Sequence, residues 1–137
     1  MSALHHLLCA DDEEDILEVL KLCLEMSGGY RVSCCSGGRD VLDRVAHIRP
    51  DMILLDVMMP GLDGPATFRE LRRRTDCRDI PVVFVTASVK AEETHHYLGL
   101  GASGVVAKPF DPATLCTNIE AIWRDVQGAG QGKEISR

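Results

Sequence analysis

Four separated fragments of the 137-residue chain end in residues suited to phosphoryl chemistry: the acidic pair Asp11-Asp12, the lone Asp56, Thr86 and Lys108. Each follows a short apolar run, Leu4 to Ala10, Met52 to Leu55, Val82 to Val85 and Val105 to Ala107. In an open α/β sheet such runs are buried parallel strands, and ligands bind in the crevice at the strands' carboxyl ends. Three carboxylates, a hydroxyl and an ammonium are thereby expected at one rim.

That gathering carries an electrostatic cost. Two unit charges ~4 Å apart repel by ~1 kcal/mol in bulk water and ~4 at an effective dielectric of 20. The site must raise the pKa of one acid or recruit a cation. All-oxygen ligands on a hydrated rim suit Mg²⁺, with Mn²⁺ as a substitute, and do not suit zinc. Such an ion neutralises an incoming phosphoryl group and orients a carboxylate as nucleophile. Lys108 adds a second positive charge and Thr86 a neutral donor. Taken singly, the acid pair reads first as a helix cap, Asp56 as a turn residue, and Thr86 and Lys108 carry almost no signal. Their recurrence at successive strand ends is the signal.

The elements that place these residues alternate along the chain. Strands are expected at Leu4–Ala10, Tyr30–Cys35, Met52–Asp56, Ile80–Thr86 and Gly104–Ala107. The first helix, over Asp15–Met26, shows Ile16, Val19, Leu20, Cys23 and Leu24 on one face and stops at Gly28-Gly29. Ser36 is expected to cap a helix with Val41, Leu42, Val45 and Ile48 inward, closed by Pro50. Asp63 caps a short helix burying Phe68 and Leu71. A helix over Lys90–Leu100 ends at Gly101. Asp111 and Pro112 open a last helix, with Leu115, Ile119, Ile122 and Val126 inward and Gly128 as its end. Five βα units in one chain predict a doubly wound parallel sheet with right-handed crossovers. Residues 1–127 form one domain in this reading, and residues 128–137 a flexible polar tail.

Composition narrows the class. A net charge of -6 argues against nucleic acid as a direct partner. The cluster Arg69, Arg72, Arg73, Arg74 and Arg78 reads as a solvated helix end. No apolar run nears the ~20 residues needed to span a bilayer, and the amino terminus lacks a secretory pattern, so no membrane and a cytoplasmic location are expected. The cysteines at 9, 23, 34, 35, 77 and 116 form no CxxC pair and read as buried, reduced thiols. His5 and His6 read as edge or packing residues on the first strand, and the adjacent His95 and His96 cannot both chelate one ion from a helix.

The chain resembles a response-regulator receiver domain of two-component signalling over roughly residues 4–127. The resemblance rests on Ala10-Asp11-Asp12-Glu13, on the string from Leu54 through Asp56-Val57-Met58-Met59-Pro60-Gly61-Leu62-Asp63 to Gly64, on Val85-Thr86-Ala87, on Gly101-Ala102, and on Lys108-Pro109-Phe110. It implies a flavodoxin-like (βα)5 fold with strand order 2-1-3-4-5. It further implies that Asp56 accepts a phosphoryl group from a histidine kinase or phosphotransfer protein. Asp12 would bind Mg²⁺ directly and Asp11 through water, with Asp56 and the Met58 backbone carbonyl completing the protein ligands. Lys108 would pair with Asp56, Thr86 would report the phosphoryl group, and Ala87 would leave it room. A downstream output protein or domain would read the change, and no catalysis beyond the domain's own phosphorylation and dephosphorylation is implied.

Three positions depart from the family pattern. Val105 stands where most receivers carry an aromatic switch residue, Met58 gives an attacking water no hydrogen bond, and Ser88 is shorter than the usual acid or amide. Two other functions compete on the same fold. An Mg²⁺-dependent aspartyl-phosphate phosphatase would want a carboxylate where Met58 stands. A phosphorylation-independent binding module would not need the intact constellation, though Val105 suits it. Flavin binding is disfavoured, because acids over 11–15 would repel a flavin phosphate.

Overall fold

A computed structural model describes the backbone of residues 3–135 and the side-chain surroundings of residues 3–128. Ten elements alternate: β1 (His6–Ala10), α1 (Glu14–Gly28), β2 (Arg31–Cys35), α2 (Gly38–Ile48), β3 (Met52–Asp56), α3 (Gly64–Arg73), β4 (Val82–Thr86), α4 (Ala91–Leu100), β5 (Gly104–Ala107) and α5 (Pro112–Ile135). The strands form one parallel sheet in the order β2-β1-β3-β4-β5, as the resemblance implied. Every residue of β3 and β4 is buried, because helices cover both faces of the central strands.

Alternation along the strands divides the core into two layers. Leu7, Cys9, Leu54, Val83 and Val85 face α1 and α5, with Leu20, Leu24, Ile119 and Trp123 above them. Leu8, Ile53, Leu55, Val82 and Phe84 face α2, α3 and α4, against Val41, Val45, Phe68 and Leu71. Leu54 is fully buried at the centre of the sheet. Removing its side chain there should cost roughly 2–5 kcal/mol.

Local structure departs from the sequence expectations in identifiable ways. Ser36 does not cap α2: the N-cap is Gly37, without a side-chain cap. The polarity is reversed, since the Ser36 backbone N–H donates to Asp40 Oδ2 at 3.0 Å. On α1, Leu17 is buried and Val19 is 46% exposed, so the apolar face is turned toward 17-20-24. α5 does not end at Gly128 but continues through it, Gly130 and Gly132 to Ile135; each glycine costs a helix about 1 kcal/mol and does not by itself end one. The expected flexible tail over 128–137 lies, save Gly128, outside the residues whose side chains are described. Asp63 and Asp111 do cap as expected, accepting from the backbone N–H of Ala66 at 2.9 Å and of Thr114 at 3.1 Å.

Candidate phosphoacceptor site

Backbone ladders carry the site residues just past the strand ends. Asp11 N–H donates to Cys35 O at 3.2 Å, Val57 N–H to Val85 O at 3.0 Å, and Lys108 N–H to Thr86 O at 2.9 Å. Neighbouring strands thus fix the strand end at Asp56 and the loops on which Asp11 and Lys108 stand. Gly64 allows the β3–α3 loop to close beneath them: its N–H donates to Val57 O at 3.0 Å, and a Cβ there would come within 2.4 Å of Asp56 O. Only glycine fits at that approach. The sequence string contained Gly64, but its role needs the folded loop to be seen.

Asp11, Asp12 and Asp56 converge, with one oxygen from each within 4.8 Å of the others. Asp11 and Asp56 are only 1% and 4% exposed, while Asp12 is open to solvent. Lys108 Nζ reaches into the gap between the two buried acids, 2.9 Å from Asp11 Oδ2 and 3.0 Å from Asp56 Oδ1. Asp11 also accepts from the Glu13 backbone N–H at 2.9 Å. The acid pair therefore faces the rim: α1 has Glu13 as N-cap, without a side-chain cap bond.

The charges do not cancel. Burial, assisted by Asp11 and Asp12, lifts the Asp56 carboxyl above the ordinary aspartate value even though Lys108 pulls it down. Burial works against the Lys108 ammonium, but its hydrogen bonds to Asp11 and Asp56 outweigh this and raise its pKa. Three carboxylates around one ammonium leave an excess of negative charge at an oxygen-only rim. That donor set fits a hard divalent cation such as Mg²⁺.

Thr86 is 7% exposed at the end of β4. Its Oγ1 accepts from the Ser88 backbone N–H at 3.2 Å, and Ser88 Oγ donates in turn to Glu93 Oε1 at 3.1 Å. Sequence reasoning missed this link to α4; a serine and a glutamate five apart across a helix start were the available signal. Ala87 is exposed, Val105 half-buried on β5, and Met58 is 78% exposed. A cleft of about 550 Å³ beside the rim takes in Asp11, Asp12, Lys21 and Ser36. His6 is a packing residue, its Nε2 paired with Ser33 Oγ at 2.7 Å.

Among the described residues, no helix is long and apolar enough to cross a membrane. The sequence profile of the response regulator receiver domain matches residues 7–120. CseB, a transcriptional regulatory protein of Streptomyces coelicolor, is 39% identical over 129 residues, 93% of this chain and 53% of that protein. The response regulator MprA of Mycolicibacterium vanbaalenii is 37% identical over 133 residues, 95% of this chain and 56% of its own length. The chain thus spans about half the length of these relatives. The chemotaxis protein CheY4 of Vibrio cholerae superposes with a TM-score of 0.79 at 28% identity, covering 88% of this chain and 99% of that one. The N-terminal domain of a response regulator receiver protein from Methanoculleus marisnigri gives 0.72 at 32% identity, over 87% and 96%. The chain belongs to the response regulator receiver domain family of two-component signalling, and is a phosphoacceptor signalling module.

Proposed function

We propose that Asp56 is the phosphoacceptor, taking its phosphoryl group from the phosphohistidine of a histidine kinase or phosphotransfer protein in the cytoplasm. The observation that carries this is the placement of Asp56: buried, at the end of the central strand, and held 3.0 Å from Lys108 within reach of two further acids. Asp11, Asp12, Asp56 and the Met58 carbonyl would hold Mg²⁺ or Mn²⁺. When bound, the ion supplies charge neutralisation for the phosphoryl oxygens.

The chain's own residues do the rest. An Asp56 oxygen attacks phosphorus; the phosphorus–nitrogen bond of the donor breaks, and the imidazole keeps the electron pair. Lys108 exchanges its contact with the Asp56 carboxylate for one with the arriving oxygens, so a positive charge is in place before transfer. Thr86 turns its hydroxyl hydrogen to a phosphoryl oxygen while Oγ1 still accepts from Ser88. Ala87 keeps the space beside it open. Residues 1–127 make up the functional unit, and its altered surface is read by a downstream output protein or domain. Val105 leaves the switch without an aromatic side chain on β5.

Incubation with acetyl phosphate should add one phosphoryl group per chain in Mg²⁺ and none in EDTA, read by intact mass. A chain that stays unmodified in Mg²⁺, while beryllofluoride also leaves its NMR spectrum unchanged, favours the phosphorylation-independent binding module.

A further inference from the structure

Six cysteines take no part in phosphoryl chemistry, and all are free thiols. Cys23 and Cys116 were expected to be buried but are only partly so, and they stand across the contact between α1 and α5. The Cys116 thiol donates to the Cys23 carbonyl with Sγ 3.8 Å from the oxygen. The winding of α1 gives the flank on which Cys23 sits. Lys21 and Cys34 of β2 line one cleft, and Glu25, one turn further on, shares that flank of the helix, which faces β2. Cys23 lies two residues from each, about 200° around the helix, and so faces away from β2. Both thiols pack on the same core layer.

A cleft of about 440 Å³, lined by Gly28, Tyr30, Cys116, Glu120 and Arg124, reaches the Cys116 side of this contact. A Cβ on Gly28 would stand 3.1 Å from Cys116 Sγ, so the glycine leaves room beside the thiol. The remaining cysteines lack this combination. Cys9, Cys35 and Cys77 are buried. Cys34 neighbours Cys35 along one strand, where successive side chains point to opposite faces.

We propose that Cys23 and Cys116 form an oxidant-sensitive dithiol, converted by a hydroperoxide to a disulfide that ties α1 to α5. One thiol, after losing its proton, attacks a peroxide oxygen; the O–O bond breaks, giving a sulfenic acid and releasing an alcohol or water. The second thiol attacks that sulfur; the S–S bond forms, the S–O bond breaks, and water leaves. The two sulfurs together lose two electrons, which the peroxide gains. Burial, and then Cys23 itself, pushes the Cys116 thiol up, so the reaction should quicken as pH rises. The bond would join the two helices that leave the acidic rim after Asp12 and after Lys108.

The test treats the folded full chain with hydrogen peroxide and maps disulfides by mass spectrometry of a non-reduced tryptic digest. The expected product links the peptide spanning residues 22–31 to the one containing Cys116. In Cys23→Ser, disulfide formation within the chain should be about tenfold slower, since a sulfenic acid at Cys116 loses its positioned partner. The oxidised wild type should also melt higher, reversibly on adding dithiothreitol. A different dominant pair would overturn the proposal, as would oxidation of Cys23 or Cys116 to sulfinic acid without a link.

Discussion

Tyr97 of α4 lies against Phe84 of β4, ring centroids 5.0 Å apart and planes tilted by 50°, and Phe84 pairs in register with Val105 of β5. Position 105 therefore lies beside the Phe84 ring of β4, and through that ring is linked to Tyr97 of α4. α4 buries none of its residues fully; Tyr97 and Leu100 pack on the core, and Glu93 ties the helix to Ser88 in the loop after β4. Valine has a short, stiff side chain and cannot fill space by rotating. Movement of Thr86 should consequently be taken up by the loop and by α4. On adding beryllofluoride, NMR shift changes should concentrate at residues 86–92 and 97–108, and Thr86→Ala should lose most of them. Full switching by Thr86→Ala, or a response on another face, would contradict this coupling.

Removing the Asp56 charge should stabilise the metal-free domain at neutral pH. Burial raises the folded-state pKa of Asp56 above its usual 3.8, so folding favours the protonated form. That favourable contribution is complete below pH 3.8 and is lost as pH rises through the raised folded value. Asp56→Asn, which carries no charge, should gain on the order of 1 kcal/mol at pH 7, roughly 3–5 °C in Tm. The gain should vanish near pH 3. Scanning calorimetry in EDTA across that range reads both signs, and Mg²⁺ should narrow the difference by stabilising the wild type.

Lys108→Met should act in the opposite direction. The substitution leaves Asp11 and Asp56 buried at 1% and 4% exposure without their cation. Breaking such a pair from one side should cost about 2–4 kcal/mol at pH 7. Because the lysine's folded pKa is raised, the wild type keeps this advantage below the ordinary lysine value and loses it as pH climbs through the folded one. Urea midpoints for both proteins at pH 7 and above pH 10.5 compare the two regimes.

The lifetime of the phosphorylated form should depend on what Met58 fails to do. Its side chain is 78% exposed just past the end of β3. It offers no hydrogen bond to place a water in line. Met58→Asn should therefore speed dephosphorylation severalfold, since fixing geometry lowers the barrier, while Met58→Ala should change it little. Phosphate release followed after acetyl phosphate is removed distinguishes the two.

The large features were legible because burial dictates them. Apolar runs such as Met52–Leu55 have no solvent-facing alternative, and the acids and lysine that follow each strand end must share its rim. Asp63 and Asp111 were legible as caps because an acid just before a helix has a local partner. Ser36 was misread because Asp40, within the next helix, bonds back to the same turn, a competition that spacing alone does not resolve. Leu17 displaced Val19 because 17-20-24 and 16-19-20-23-24 are overlapping stripes of one helix, and period alone does not say which of them turns inward. The Ser88–Glu93 bond and the Cys23–Cys116 contact depend on loop closure and helix packing between distant segments, and neither leaves a periodic trace.

Borohydride trapping tests the central claim most directly. The full chain is phosphorylated with acetyl phosphate in Mg²⁺, reduced with borohydride, which converts an aspartyl phosphate to homoserine, and digested for sequencing by mass spectrometry. Homoserine should appear at position 56 alone and be absent from Asp56→Asn. Homoserine at position 11 or 12 in the wild type, or undiminished phosphorylation of Asp56→Asn, would contradict it.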